Sequence, residues 1–488
     1  MSAGTPGAGS PAPVAMPSAG ADAIRSAAAA GGGQAGGELG AGRDGTDARA
    51  LLAYGALGLP LAFAALPIYV HVPRLYADGL GLSLAMVGAV LLAARILDAV
   101  TDPLIGWAND RLPRRRLWIV LALPALAAGM LGLLAPPAGA GAGWLFALLV
   151  AVSLAYSVAT IAYNAWGAEV ASTPDARTRF VASREGFALA GVVLAAALPG
   201  VLAAGEGEAA GLARLAWAFL PLLLVFGVWT LWRAPAPPQL AGADAPVWAG
   251  LRGALGEPGF ARLLAVFAAN GIAAAIPSAT VLFFVADVLE AAQLAGLFLV
   301  LYFIAAAASL PLWVRVSQRV GKLRAWLAGM VLAVAVFAWA GLLGSGDVVA
   351  YGVICVLSGL ALGADLSLPP SLLADLIAQG RRGERAKPLE AGACFGWWNF
   401  VTKANLALAA GLALPLLALL GYAPGARDAA AVAALAGVYG FAPLVLKLAA
   451  IVLLWRWRQA IEPGHTRPGP LPRSRRGKED RLKRGEGA

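Results

Sequence analysis

Ionisable side chains are the scarcest ingredient of this 488-residue chain, at 13% of positions against 60% hydrophobic. Soluble globular domains carry about 25% charge, so a water-soluble fold is excluded and repeated passage through a bilayer is implied. There are two cysteines, Cys355 and Cys394, both inside apolar runs, which excludes a disulfide framework as the organising device. Two histidines, His71 and His465, cannot supply a structural zinc site or a His-based triad. A Gly-x4-Gly-Lys-Ser/Thr loop is missing, which argues against an ATP-driven pump. With no clustered nucleophile and no group of metal ligands, neither an enzyme nor a resident cofactor is expected.

What the chain has instead is long stretches of Ala, Leu, Val and Gly, with a mean hydropathy of +0.75. Twelve apolar runs can be counted, from 51–72 and 84–108 through to 429–456. Each is close to the ~20 residues that span a bilayer. The expected fold class is an all-α integral membrane protein of twelve transmembrane helices in two six-helix halves. Residues 1–48 are poor in core-forming side chains and read as a disordered N-terminal tail, without the basic segment of a signal peptide. The N-terminal half is expected over 49–232, a Pro-rich cytoplasmic linker over 233–259, the C-terminal half over 260–456 and a basic tail over 457–488.

The formal net charge of +10 is read through the bilayer and not through nucleic acid, because Lys and Arg accumulate in cytoplasmic loops. Arg111, Arg114, Arg115 and Arg116 follow the second run, and Arg177, Arg179 and Arg184 the fourth. Arg315, Arg319, Lys322 and Arg324 follow the eighth, and Arg381, Arg382, Arg385 and Lys387 the tenth. The alternate loops hold little basic charge. Both termini are thereby placed in the cytoplasm, and the protein in a cell inner (plasma) membrane as a multi-pass, monomeric chain.

One stretch inside the second run resists the apolar rule: Arg95-Ile-Leu-Asp98-Ala-Val-Thr-Asp102-Pro103. Each ionisable group at that depth costs about 2.5–3.5 kcal/mol on insertion scales. Spacing of i, i+3 and i+7 puts the three on one helical face, which must look into protein or a watery cavity. Two carboxylates one turn apart repel unless a cation sits between them, as suits a site that loads and unloads Na+ or H+. The bland alternative is a structural staple with Arg95 and Lys403. An internal repeat acts as a control: Pro103–Trp118 aligns with Pro311–Trp326, and Ala168-Glu169-Val170 with Ala374-Asp375-Leu376. The second-half partners of Asp98 and Asp102 are Ala306 and Leu310, so the scaffold closes without acids there. Paired six-helix halves are the plan of transporters that rock about a central site.

Gly106-x-x-x-Asp110-Arg111-x-x-Arg114-Arg115 resembles the cytoplasmic loop motif of the major facilitator superfamily. More narrowly, Arg95 to Gly106, Thr160-Ile-Ala-Tyr163-Asn164-Ala-Trp-Gly-Ala-Glu169, Arg184-Glu-Gly-Phe, and Ala374-Asp375 through Trp398-Asn399-Phe400-Val401-Thr402-Lys403 resemble the glycoside–pentoside–hexuronide:cation symporters, the melibiose-permease group. The resemblance covers roughly 50–456. It implies the major facilitator fold, a cation site at Asp98 and Asp102, and Lys403 approaching from the second half; Ser157 and Thr160 are added as cation-site candidates from the residues themselves. Arg184 matches an arginine important in that family and is a solute-contact candidate, while the loop charges themselves suggest a cytoplasmic gate at Gly106, Asp110, Arg111 and Arg114, with Asp110 pairing Arg114. Two departures stand out. The family's melibiose carriers have an aspartate at Thr160, and a Lys-Asp pair at Leu61-Ala62 whose aspartate anchors sugar. These point away from a galactoside and from a strictly sodium-specific site.

Further solute-site candidates are Tyr163, Asn164, Asn270, Asp365, Trp398 and Asn399. Asp365 precedes Pro369-Pro370, which would break the tenth helix and free carbonyls to line a cavity; a hydrogen-bonded structural acid is the alternative. Trp397 and Trp398 could stack on a sugar or fill a helix interior. Asp98, Asp102 and Asp365 against Arg95 and Lys403 leave about one negative charge at mid-depth, favouring one monovalent cation. The expected function is cation-coupled (Na+ or H+) symport of a sugar- or glycoside-like solute by alternating access. The partners expected are that solute, the cation and the bilayer, with no nucleic acid. The alternative is a carrier of an amphipathic solute such as a lysolipid.

Overall fold

A backbone in hydrocarbon has no water to bond, so the apolar runs must satisfy their own N–H and C=O groups as helices. The computed structural model describes residues 47–205, 207–384 and 389–462, and all regular structure among them is helical. The first half contains α1 (Ala48–Gly55), α2 (Gly58–Val70), α3 (Leu84–Arg111), α4 (Arg115–Leu134), α5 (Ala142–Val170), α6 (Pro174–Ala203) and α7 (Glu208–Arg233). A short α8 (Val247–Leu255) precedes the second half. That half contains α9 (Pro258–Phe283), α10 (Ala295–Val320), α11 (Lys322–Ala340), α12 (Val348–Arg381), α13 (Ala391–Leu419) and α14 (Ala429–Ile461). The first span is made of α1, α2 and the turns after them.

Eleven segments among the described residues are long and apolar enough to cross a membrane. The twelfth, α3, is 28 residues long, roughly 42 Å at 1.5 Å per residue. It differs from the others in carrying Arg95, Asp98 and Asp102 within two turns of its middle. Side-chain caps start several helices: Ser83 accepts from the Met86 amide, Thr173 from Ala176 and Asp428 from Ala431. The large apolar side chains that remain exposed, such as Leu92, Ile96, Val201, Leu224, Val349 and Val445, are those a lipid phase would cover.

Several boundaries differ from expectation. The helix α12 runs unbroken through Pro369 and Pro370, because Pro removes donors whose loss neighbouring helices and Ser/Thr side chains absorb in a membrane. Ser367 hydroxyl donates to the Gly363 carbonyl in this turn. The last helix extends to Ile461, five residues past the expected end of the half. The N-terminal tail through 46, the basic tail from 463, and Arg385 and Lys387 lie outside the described residues. The linker is not featureless: its α8 lies against α3 and α13, with Leu251 and Ala254 buried and Trp248 exposed. Trp107 donates to the Ala245 carbonyl at 3.0 Å and Trp397 to the Leu251 carbonyl at 3.1 Å, so one indole from each half holds this strap.

Apolar packing follows the same division. One buried cluster draws only on residues between Ala53 and Ala234, and another only on Ala275 to Tyr439. A third joins Ile161, Ala165 and Ala168 of α5 to the core around Trp326, Leu372 and Phe395. Where α3 crosses α13 the backbones nearly touch. A Cβ at Gly106 would lie 2.3 Å from the Gly392 carbonyl oxygen, and one at Gly392 would lie 2.4 Å from that of Gly106. Small residues permit such contact between membrane helices. Gly106→Val should therefore wedge the two halves apart at this crossing. With Cys355 replaced by Ser, the buried Cys394 should then react with a maleimide about tenfold faster or more than in the parent, a shift of about 1.4 kcal/mol; an unchanged labelling rate would contradict the wedge.

Candidate functional site

One helical turn separates Asp98 from Asp102, and α3 places Asp98 half-way along its length. Both carboxylates are buried, with residue exposures of 6% and 0%. From the opposite half, Lys403 of α13 inserts its ammonium between them. Its Nζ lies 2.7 Å from Asp98 Oδ2 and 2.8 and 2.9 Å from Asp102 Oδ2 and Oδ1. Ser157 of α5 completes the group, accepting from Lys403 at 2.8 Å and donating to Asp98 Oδ1 at 3.0 Å. One turn along α5, the Thr160 hydroxyl accepts from Asn399 at 3.1 Å and donates to the Tyr156 carbonyl. Arg95 is exposed one turn above.

The local charge of this cluster is −1, from two carboxylates and one ammonium. Desolvating three charges costs several kcal/mol per ion, and replacing a buried ion pair by apolar packing is often neutral or stabilising. Stability alone is therefore a weak reason for the cluster.

A second polar group lies on α6. Arg184 stands about 15 Å along that helix from Pro174, at 1.5 Å per residue. It bonds Glu185 through Nε at 3.0 Å and through a second, closer nitrogen, and it donates to Asn164 Oδ1 on α5. Beside it the Tyr54 and Tyr163 rings pack at a tilt of 34°, centroids 4.6 Å apart, and each hydroxyl donates to the other residue's backbone carbonyl. Two close approaches set this register. A Cβ at Gly58 would sit 2.6 Å from the Arg184 carbonyl, and one at Gly191 would sit 2.2 Å from that of Leu59.

The remaining candidates are held in the second half. Asp365 Oδ2 pairs with Lys447 of α14 at 2.8 Å, and its Oδ1 accepts from Trp326 at 2.8 Å. The mid-depth count made from sequence omitted Lys447. With Lys447 included that count comes to zero: Asp365 is neutralised within its own half, Arg95 is exposed, and the net charge of −1 is that of Asp98, Asp102 and Lys403 taken by themselves. A lone lysine inside the last apolar run was the overlooked signal. Trp398 is buried and stacked on Phe267, ring centroids 3.7 Å apart. Asn270 is buried with its Oδ1 unpartnered among the described residues.

The arginine-rich end is sealed by two crossing sets of ion pairs. Glu169 of the first half binds Arg115 at 2.6 Å and Arg381 of the second half at 2.7 Å. Its repeat partner Asp375 binds Arg177 of the first half at 2.9 Å and Lys322 at 2.5 Å. Asp110 does not pair with Arg114. It pairs with Arg115 at 2.9 Å and accepts from the amides of Gly392 and Ala393, at 2.7 and 2.6 Å. Its carboxylate thus caps the start of α13 across the interface. The reason is local: Arg114 precedes α4 and is exposed, whereas Arg115 is the first residue of that helix and turns inward. Arg111, also exposed, lies over the Trp107 ring at 5.0 Å. Just before α13, Glu390 is exposed, but partial desolvation of its carboxyl and then the Asp110 carboxylate raise it above the usual range.

Two six-helix halves, joined at mid-depth by charge and shut at one end by exchanged ion pairs, define a membrane transporter of the major facilitator fold. The chain belongs to the MFS/sugar transport protein family, whose sequence model matches residues 51–458. It is 29% identical over 167 residues to an uncharacterized symporter of Synechocystis sp., an alignment that spans 32% of this chain and 31% of that one. In fold it is similar to a bacterial homologue of the iron transporter ferroportin in an outward-facing state (TM-score 0.63, 19% identity, 85% of this chain and 100% of that one). It is equally similar to the E. coli fucose:proton symporter (TM-score 0.63, 13% identity, 85% and 99%). At these identities the two structures speak for the fold alone.

Breaking a buried pair from one side leaves an uncompensated charge. Lys447→Met should cost about 3–5 kcal/mol, read as a lower thermal unfolding midpoint in detergent, and adding Asp365→Asn should recover most of the loss.

Proposed function

We propose that this chain is a cation-coupled symporter that carries a small sugar- or glycoside-like solute by alternating access. In this reading the arginine-rich end faces the cytoplasm, as its loop charge favours, and both termini lie on that side of a plasma or inner membrane. The observation that carries the proposal is Lys403 of one half seated between Asp98 and Asp102 of the other.

Lys403 occupies the place that a coupling cation would compete for. The cluster keeps one net negative charge, enough to favour a monovalent cation where the dielectric is low. Arrival of Na+ or H+ removes that excess and loosens the grip of the carboxylates on Lys403, which is the strongest polar tie between the halves at mid-depth. Solute binding between the halves and cation binding at the cluster then favour the same rearrangement, so each strengthens the other. With the cytoplasmic end held shut by Glu169–Arg381 and Arg177–Asp375, the arrangement suits loading from the opposite side. The sugar class is supported by the family's description. Coupled transport is supported by the relative named as a symporter.

The test is uptake of labelled sugars into proteoliposomes under imposed Na+ or H+ gradients. Asp98→Asn should abolish gradient-driven accumulation while leaving folded protein in the membrane. Accumulation by the variant equal to the parent's would refute the coupling role.

A further inference from the structure

The Arg184 group lies where the two halves meet. It borders a narrow crevice of about 10 Å³, room for about one water molecule, lined also by Tyr54, Asn164, Phe180 and, from the second half, Pro370 and Phe395. Arginine brings a fixed positive charge and a fork of donors to such a place. Left alone it would attract an anion. Here the charge is already answered by its chain neighbour, since Glu185 engages two nitrogens of the guanidinium. The other cation on the crevice, Arg177, is likewise paired, with Asp375. The Tyr54 and Tyr163 hydroxyls are spent on backbone carbonyls. The second Glu185 oxygen and the Asn164 amide nitrogen take no part in these bonds, and the Arg184 and Glu185 side chains keep 13% and 16% exposure.

We propose that Glu185 is a specificity-determining residue: by neutralising Arg184 it makes the solute site select uncharged polyhydroxylated ligands over anionic ones. This rests on the sugar-transport reading above. A ligand carboxylate could reach Arg184 only by displacing Glu185 or by lying against it, and two like charges at this depth repel strongly. A hydroxyl meets no such conflict, because it can donate to Glu185 and accept from Arg184 or Asn164. Discrimination thus comes from a repulsive element as much as an attractive one.

The experiment measures proteoliposome uptake of matched pairs, each a neutral methyl pyranoside and the methyl uronoside of the same ring, for the parent, Glu185→Gln and Glu185→Asp. The parent should prefer the neutral member of a pair. Glu185→Gln should raise the uronoside-to-pyranoside ratio about tenfold or more, whereas Glu185→Asp, which keeps the carboxylate, should stay close to the parent. A parent that takes up both members equally overturns the proposal even if Glu185→Gln does not fold, as does a Glu185→Gln ratio equal to the parent's. A parent that moves no sugar of either kind overturns the transport reading itself, and this one with it.

Discussion

Two carboxylates and one ammonium, stripped of most of their water half-way through a membrane, set the terms for the rest of this bundle. Asp98 and Asp102 cannot face hydrocarbon and cannot sit side by side without a cation. Lys403 cannot stay buried without an acid. Because the acids belong to one half and the base to the other, their pairing draws α3 and α13 together. The packing around that crossing serves the same end. Gly106 and Gly392 remove the side chains that would hold the helices apart, and Asp110 closes the contact by capping α13 from across the interface.

The sealed end is built on an exchange. The repeat puts an acid at the same place in each half, Glu169 and Asp375, and each reaches a base of the other half. Such reciprocity ties the halves at two points related by the internal symmetry. The mid-depth cluster lacks this symmetry, since its acids have Ala306 and Leu310 as repeat partners. The charge is thus asymmetric at the centre and symmetric at the sealed end.

Deep charge elsewhere is settled within each half. Lys447 answers Asp365, and Glu185 answers Arg184. These pairs leave the Asp98–Asp102–Lys403 group with the unbalanced charge among them, and they leave the Arg184 site polar but neutral. The balance at each place rests on one side chain, which is why single residues such as Lys447 and Glu185 matter beyond their small share of the surface.

Much of this was legible in the residues. Apolar runs of the right length dictate helices because nothing else satisfies a backbone in lipid, and acids in such a run dictate a shielded face. That put Asp98 and Asp102 on one shielded face, the family resemblance brought Lys403 towards them, and the repeat aligned Glu169 with Asp375. Other features are properties of contact and have no one-dimensional trace. Asp110 was matched to Arg114 by proximity in the chain, but the direction in which α4 starts turns Arg115 inward instead. The prolines at 369 and 370 were read as a break, but neighbouring helices keep α12 whole. Trp398 was a stacking candidate until Phe267 covered its face. The sequence by itself determined that twelve spans would form and that a carboxylate pair would need a cation, since both follow from the cost of polar groups in hydrocarbon. Only the tertiary structure decided which base answers which acid, because that depends on helix rotation and approach to within an ångström or so, and periodicity does not encode either.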